Sequence, residues 1–138
     1  MTNEAETATA VRRKDILVVE DDPAMRRVLV QALVAQGAKY RVMAVDNGAD
    51  AEDRILSDPP DLVIMDVMLP YKSGVDICVE LSADPQRKKV LILLITSLTD
   101  QSSMSEIQWK ELTRADAFLP KPFEIKELVS QVGGMLQV

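Results

Sequence analysis

The sequence contains no histidine, a single cysteine and only five glycines among its 138 residues. Without histidine, the chain cannot form a Ser-His-Asp triad, a Cys-His pair or a histidine-based zinc site. The lone Cys78 excludes an internal disulfide framework and is typical of a reducing compartment, so we expect a cytoplasmic protein. The glycines, at positions 37, 48, 74, 133 and 134, fit neither GxGxxG nor GxxxxGK[ST], which excludes the Rossmann and P-loop types of nucleotide site.

Long apolar runs and an excess of positive charge are also missing. No run approaches the roughly 20 apolar residues of a membrane helix, and residues 1–13 lack the apolar segment of a signal peptide. We interpret residues 1–13 as a flexible N-terminal tail and residues 14–138 as one domain. Lys and Arg total 16 against 22 Asp and Glu, a net charge of −6. Neither a membrane nor a nucleic acid is therefore expected as a direct partner of this segment.

Two short apolar runs each end in acidic residues. Residues 16–19 lead into Glu20, Asp21 and Asp22, and residues 62–65 lead into Asp66. Such runs are typical of strands buried on both faces of a parallel sheet, whose chemistry collects at the carboxyl ends of the strands. Carboxylates gathered there repel one another and lose hydration, so a purely structural role explains them poorly. They predict a site for a hard cation such as Mg²⁺, acting together with phosphate oxygens.

The apolar pattern predicts five strands that alternate with five helices. The strands are expected at about 15–19, 40–45, 61–65, 90–95 and 117–119, and the fourth, as the most apolar, is expected to be central. The first helix is predicted to begin with Asp22 as its cap and Pro23 in its first turn, and to end at Gly37. The other helices are expected at about 49–56, 73–82, within 100–113 and at 124–136. Strict alternation predicts an α/β fold with a doubly wound parallel sheet.

Four segments resemble, in order, the signature segments of response-regulator receiver domains. They are ILVVEDDP at 16–23, DLVIMDVMLPYKSG at 61–74, LLITS at 93–97 and FLPKPF at 118–123. Any one of them alone is a weak signal, but four at coordinated strand ends are hard to obtain by chance. The resemblance covers about 14–136, so that 14–138 would be a receiver domain. It implies a flavodoxin-like fold with strand order 2-1-3-4-5 and five helices.

The resemblance also implies a role for each residue of the acidic site. Asp66 would be the phosphoacceptor, taking a phosphoryl group from a phosphohistidine of a sensor histidine kinase or a histidine phosphotransfer protein. Mg²⁺ is the implied cofactor, and no organic cofactor is expected. The implied ligands of Mg²⁺ are Asp21 and Asp66, Glu20 through a water, and the backbone carbonyl of Met68. Asp22 is interpreted only as a helix cap.

Thr96 and Lys121 complete the implied catalytic set. The Thr96 hydroxyl would bond a phosphoryl oxygen, and Lys121 would balance the negative charge. In the family the peptide after this lysine is usually cis, so a cis Lys121-Pro122 bond is expected. Thr96 and Phe118 form the implied switch pair. Since the family often has tyrosine at the position of Phe118, coupling here is expected to act by packing alone.

The expected function is a phosphorylation-controlled signalling switch of a two-component system. The chain would be a phosphoacceptor and not an enzyme, assisting only its own phosphotransfer and a slow autodephosphorylation. Slow loss is expected because Met68 and Leu98, which flank the route of an attacking water, are apolar. Output would pass through the face formed by the predicted helix within 100–113, the strand at 117–119 and the helix at 124–136, here called the C-terminal face. A downstream protein or a second copy of the chain would bind there.

Three alternatives are weaker. A pseudo-receiver, an interaction module that is never phosphorylated, typically lacks a residue of the acidic pocket, whereas this chain keeps all of them. A phosphohydrolase of the haloacid dehalogenase type would need an acid two residues after Asp66, where this chain has Met68. A flavodoxin-like electron carrier would need a phosphate-binding loop after the first strand, where this chain has acids. The cognate kinase, the output pathway and the oligomeric state have no signal in the sequence.

Overall fold

A computed structural model describes residues 13–83, 90–96, 108, 111 and 113–137. The described strands form one parallel sheet in the order β2-β1-β3-β4-β5. They are β1 (Lys14–Val19), β2 (Tyr40–Val45), β3 (Leu62–Asp66), β4 (Leu91–Thr96) and β5 (Ala117–Pro120). The predicted fold class and strand order are confirmed. The expectation that the fourth strand is central is wrong, because β3 occupies the middle and β4 lies between β3 and the edge strand β5.

Four helices in the described ranges flank this sheet: α1 (Pro23–Val34), α2 (Gly48–Ser57), α3 (Gly74–Ala83) and α4 (Ile125–Leu136). The fifth predicted helix, at 124–136, is α4. The predicted helix within 100–113 lies mostly outside the described residues. The residues of this range that are described, Gln108, Glu111 and Thr113, are helical. The predicted tail, 1–13, also lies outside them except for Arg13.

Side-chain caps explain where α1 and α2 begin. Asp22 Oδ1 accepts a hydrogen bond from the Ala24 N–H at 3.2 Å, and Pro23 follows where its missing N–H costs nothing. Asn47 Oδ1 accepts from the Asp50 N–H at 2.8 Å at the start of α2. At its other end α1 stops at Val34, and Gly37 adopts a φ of +96° two residues after the Ala35 cap. The predicted cap is confirmed, and Gly37 marks the turn after the helix rather than its last residue.

The inner strands β1, β3 and β4 are buried on both faces of the sheet, with successive strand residues pointing to opposite sides. On one face, α1 and α4 cover a cluster that includes Ile16, Ile64 and Ile95. On the other, α2 and α3 cover a cluster that includes Leu17 and Met65. Double burial explains the unbroken apolar runs in the sequence, and it leaves the polar residues that follow the strands gathered at one rigid edge.

The longest described helices, α1 and α4, have 12 residues each. A bilayer-spanning helix needs about 20 residues. Among the described residues, no helix is long and apolar enough to cross a membrane.

Candidate functional site

Four polar side chains meet at the carboxyl edge of the sheet. Glu20 follows β1, Asp66 ends β3, Thr96 ends β4 and Lys121 follows β5. The two acids are deeply buried, with 2% of Glu20 and 6% of Asp66 exposed, and Thr96 is buried as well. Burying two carboxylates side by side is costly unless cations or hydrogen bonds compensate them. This edge is therefore the candidate site.

Both carboxylate oxygens of Asp66 have a partner. The Lys121 Nζ lies 2.5 Å from Asp66 Oδ2, and the backbone N–H of Met68 donates to Asp66 Oδ1 at 2.8 Å. Burial by itself lowers the pKa of Lys121, but the hydrogen bond to Asp66 and the nearby acidic charges outweigh it and raise that pKa. Lys121 is thus fully charged at neutral pH. The Lys121-Pro122 peptide is cis, as expected from the resemblance.

Glu20 is the poorly compensated member of the site. Its Oε2 accepts a hydrogen bond from the Asp22 N–H at 3.1 Å, but its buried Oε1 has no hydrogen-bond partner. The Lys121 ammonium lies 4.0 Å from that oxygen, a distance suited to weak attraction. The pKa of Glu20 is raised from 4.5 to about 7: burial is the largest cause and the neighbouring charge of Asp66 adds to it, while the hydrogen bond from the Asp22 N–H and the charge of Lys121 act in the opposite direction. A buried oxygen in this state is a ready ligand for a cation.

The donor set fits Mg²⁺ better than a metal that needs an all-protein cage. In the described part of the chain, no three Asp, Glu or Cys side chains are close enough to hold a metal ion by themselves. Mg²⁺ keeps several waters and needs only one or two carboxylates. Glu20 and Asp66 can supply these, while Asp21 is exposed at the rim of the same edge.

The loop after Asp66 is tied back to the sheet. The Val67 N–H donates to the Ile95 carbonyl at 3.1 Å, and the Gly74 N–H donates to the Val67 carbonyl at 3.0 Å. A Cβ atom at Gly74 would lie 2.6 Å from the Asp66 carbonyl oxygen, so only glycine fits there without a shift. The side chain of Met68, by contrast, is 75% exposed and presents an apolar surface beside the acid.

Thr96 and Phe118 lie on the same face of the sheet. In the register of β4 and β5, Leu94 pairs with Phe118 and Thr96 with Pro120, and paired residues of parallel strands share a face. Phe118 is buried in the cluster under α2 and α3. The Thr96 hydroxyl makes no hydrogen bond among the described residues. Thr96 is thus placed at the site edge and Phe118 two residues deeper in the core.

Arg26 is a site-adjacent residue that the sequence analysis did not predict. From the first turn of α1, its Nη1 donates to the Glu20 carbonyl at 2.9 Å and approaches the Asp21 carbonyl at 3.5 Å. It therefore braces the backbone that carries both acids. The sequence signal that could have indicated it is an arginine one helical turn after an acidic strand end. Leu98, predicted to flank the route of an attacking water, lies outside the described residues.

Comparison with known proteins places this geometry in a family. Residues 16–133 match the profile of the response regulator receiver domain. The response regulator MprA of Mycolicibacterium vanbaalenii is 37% identical over 122 residues, which are 88% of this chain and 50% of that protein. The chain therefore spans about half the length of the curated relatives it matches.

Two solved structures resemble the chain closely. The beryllofluoride-activated N-terminal receiver domain of Klebsiella pneumoniae RstA is 30% identical with a TM-score of 0.75, covering 90% of this chain and 99% of that one. The receiver domain of the sensor histidine kinase PA1611 from Pseudomonas aeruginosa is 26% identical with a TM-score of 0.77, covering 91% and 99%. The latter structure has a magnesium ion coordinated in its active-site cleft.

Proposed function

This chain belongs to the response regulator receiver domain family, and on that premise we propose that Asp66 accepts a phosphoryl group in a Mg²⁺-dependent reaction. It is thus the receiver domain of a response regulator in two-component signalling, in which response regulators receive their signals from histidine kinases. Receiver domains are in general phosphoacceptors and not enzymes. The proposed donor is a phosphohistidine on a sensor histidine kinase or a histidine phosphotransfer protein.

One observation carries the proposal. The Asp66 carboxylate is buried at the carboxyl end of β3, and a charged ammonium, Lys121, lies 2.5 Å from it. Phosphoryl transfer requires an aligned nucleophile and neutralisation of the phosphoryl charge, and it needs little acid–base chemistry. An aspartate held on one oxygen by Lys121 and on the other by the Met68 amide meets both needs. The absence of histidine is no obstacle because the histidine belongs to the donor.

The step itself is a displacement at phosphorus. A carboxylate oxygen of Asp66 attacks the phosphorus, an O–P bond forms, and the N–P bond of the phosphohistidine breaks. The imidazole nitrogen of the donor leaves with the bonding electron pair, so this chain needs no proton donor. Lys121 is placed to balance the negative charge on the phosphoryl oxygens. The Thr96 hydroxyl, free of other partners among the described residues, is proposed to donate to one of those oxygens once the group has transferred.

Glu20, Asp21, Asp66 and the Met68 carbonyl are the residues proposed to hold Mg²⁺. When bound, the ion would neutralise charge on the phosphoryl oxygens during transfer. The unpartnered Oε1 of Glu20 supports this assignment, since it is a buried carboxylate oxygen that lacks a full counter-charge. Arg26 would hold the Glu20-Asp21 backbone in place through its bonds to both carbonyls.

We further propose that phosphorylation is sensed through the Thr96–Phe118 pair and read at the C-terminal face, where a downstream protein or a second copy of the chain binds. In the described part, that face consists of β5, which contains Phe118, and of α4, which follows β5 in the chain. The mechanism is a shift between two existing conformations that bind the phosphoryl group unequally. A cytoplasmic location is proposed as well, supported by the presence of a single cysteine, Cys78, which excludes an internal disulfide framework.

A phosphoryl mimic tests the switch. Beryllofluoride with Mg²⁺ is expected to slow amide exchange at β5 and α4 and to change the sedimentation coefficient at a fixed protein concentration. Asp66→Asn, which keeps the size and polarity of the side chain, should give no response. A pseudo-receiver would show no response in the wild type either, and that result would favour the alternative of an interaction module that is never phosphorylated.

A further inference from the structure

Lys72 joins the loop after Asp66 to two helices. Its Nζ lies 3.0 and 2.8 Å from the two carboxylate oxygens of Glu52 on α2, and 2.7 Å from Glu80 Oε1 on α3. The side chains of Lys72 and Glu52 are about three-quarters buried, with 24% and 23% exposed. The hydrogen bonds to Glu52 and Glu80 raise the pKa of Lys72 despite partial burial. The ammonium group of Lys72 therefore forms ion pairs with two carboxylates, one on α2 and one on α3.

The backbone around Lys72 is packed as closely as its side chain. A Cβ atom at Gly48, the first residue of α2, would overlap the carbonyl oxygen of Lys72. The Gly48 N–H also donates to the Pro70 carbonyl at 3.3 Å. Only a glycine at position 48 lets the loop approach this near. The loop is thus seated on the amino-terminal end of α2.

The seated loop is strained at its tip. Tyr71 adopts a φ of +70°, in the left-handed region that a bulky side chain rarely occupies. Its side chain is 88% exposed and so gains little from packing. Such a conformation persists only when neighbouring contacts impose it. The contacts on either side of Tyr71 are those of Pro70 and Lys72 with α2.

The same loop holds the acceptor in place. The Met68 N–H bonds Asp66 Oδ1, and Met68 also carries the backbone carbonyl proposed as an ion ligand. Only three residues lie between Met68 and Lys72. A displacement of Lys72 is therefore transmitted to Met68 over a short stretch of backbone. If the Lys72 end moves off α2, the Met68 peptide loses its fixed orientation toward Asp66.

We propose that Lys72 is a positioning residue of the Asp66 site: its ion pairs with Glu52 and Glu80 fix the loop 67–73, and with it the Met68 N–H that bonds Asp66 and the Met68 carbonyl proposed as an ion ligand. The inference rests on the proposed function, because it concerns how the acceptor and its metal are held. The proposed role differs from that of ordinary surface ion pairs, which contribute little to stability.

The test compares Lys72→Met with Lys39→Met. Methionine keeps a long apolar stem and removes the charge, and Lys39 lies before β2 at the opposite end of the sheet from Asp66. In metal-free protein, Lys72→Met is expected to speed amide exchange at Met68 and Gly74 roughly two- to fivefold, the range of a partly exposed ion pair. The amides of β1 should not change, and Lys39→Met should change neither group. Mg²⁺ affinity and the initial rate of labelling by acetyl phosphate should fall by a similar factor.

Additional variants separate positioning from folding. Lys72→Arg should restore most of the wild-type exchange at Met68. Glu52→Gln should speed it less than Lys72→Met does, and should add nothing in the Lys72→Met background, because the two changes remove one interaction. If Lys72→Met proves too unstable to measure, Glu52→Gln alone shows whether amide exchange is accelerated only at Met68 and Gly74 or at all amides.

Uniform acceleration of all amides, or unchanged exchange at Met68 and Gly74, would overturn the inference. If the wild type takes up no phosphoryl group, the proposed function fails, while the exchange comparison still decides the role of Lys72.

Discussion

The Lys121 ammonium lies 2.5 Å from Asp66 Oδ2, although the two residues are 55 positions apart in the chain. Asp66 ends β3 and Lys121 follows β5, and these two strands are not neighbours, since β4 lies between them. The contact therefore depends on the order of the sheet and on how far Lys121 reaches over the end of β4. There the Lys121 N–H bonds the Thr96 carbonyl at 2.9 Å, which holds the start of the loop against β4.

Replacing Lys121 with methionine should slow phosphorylation by roughly 100-fold or more, the usual cost of losing a preorganised charge at a transferring group. The measurement is the initial rate of mass gain with acetyl phosphate and Mg²⁺. Lys126→Met, an exposed lysine on α4, serves as the charge-matched control and should keep the wild-type rate. An undiminished rate in Lys121→Met would remove this lysine from the catalytic set.

Mg²⁺ should bind with a dissociation constant on the order of millimolar, because the chain offers few ligands and the ion keeps several waters. Calorimetry on wild type, Asp21→Ala and Glu20→Gln measures it, with Asp53→Asn on α2 as a control acid. Both site variants should bind more weakly. In metal-free buffer, Glu20→Gln should also raise the Tm, since a neutral amide costs less to bury than a carboxylate with an unpartnered oxygen. Equal Mg²⁺ affinity in Asp21→Ala and the wild type would show that the metal site is misplaced.

The Lys72 cluster predicts a pH dependence of stability. The hydrogen bond from Lys72 lowers the pKa of Glu80 below its ordinary 4.5. A lowered folded-state pKa stabilises the fold above the unfolded-state pKa, and that stabilisation is lost as the pH falls through the folded-state pKa. The Tm of wild type should exceed that of Glu80→Gln at pH 7, and the difference should shrink and disappear as the pH falls through the folded-state pKa of Glu80. A difference that stayed unchanged as the pH is lowered until the carboxylates are protonated would mean that Glu80 acts other than by its charge.

The phosphorylated state should be long-lived. Met68 is apolar and exposed beside Asp66, so it cannot orient an attacking water by hydrogen bonding. Leu98, the second residue of the proposed pair, lies outside the described residues. Introducing Met68→Asn and Leu98→Glu together should shorten the half-life in Mg²⁺ buffer, as followed by phosphate release. A wild-type half-life of seconds that the double substitution leaves unchanged would contradict this view.

The fold and the main site residues could be predicted because they depend on regular features. Apolar runs locate the strands, and a residue at a strand end keeps its place whatever the rotation of the helices, as Glu20 and Asp66 illustrate. The central position of β3 could not be read from apolarity, because β4 is covered on both faces as well. Strand order came from the family resemblance instead.

The supporting contacts were not predictable for a physical reason. Lys72 meets Glu52 and Glu80 only because α2 and α3 are rotated to present those two acids, and no local pattern encodes that rotation. The same holds for Arg26, whose side chain turns back to the Glu20 carbonyl. The start of α2 was missed by one residue because the Asn47 cap places Gly48 inside the helix.

The central claim, that Asp66 is the phosphoacceptor, is tested most directly by intact mass. Wild type incubated with acetyl phosphate and Mg²⁺ should gain one phosphoryl group that is stable in acid and labile in base. Asp66→Asn under the same conditions, and wild type with the metal chelated, should gain none. Equal labelling of wild type and Asp66→Asn would contradict the account.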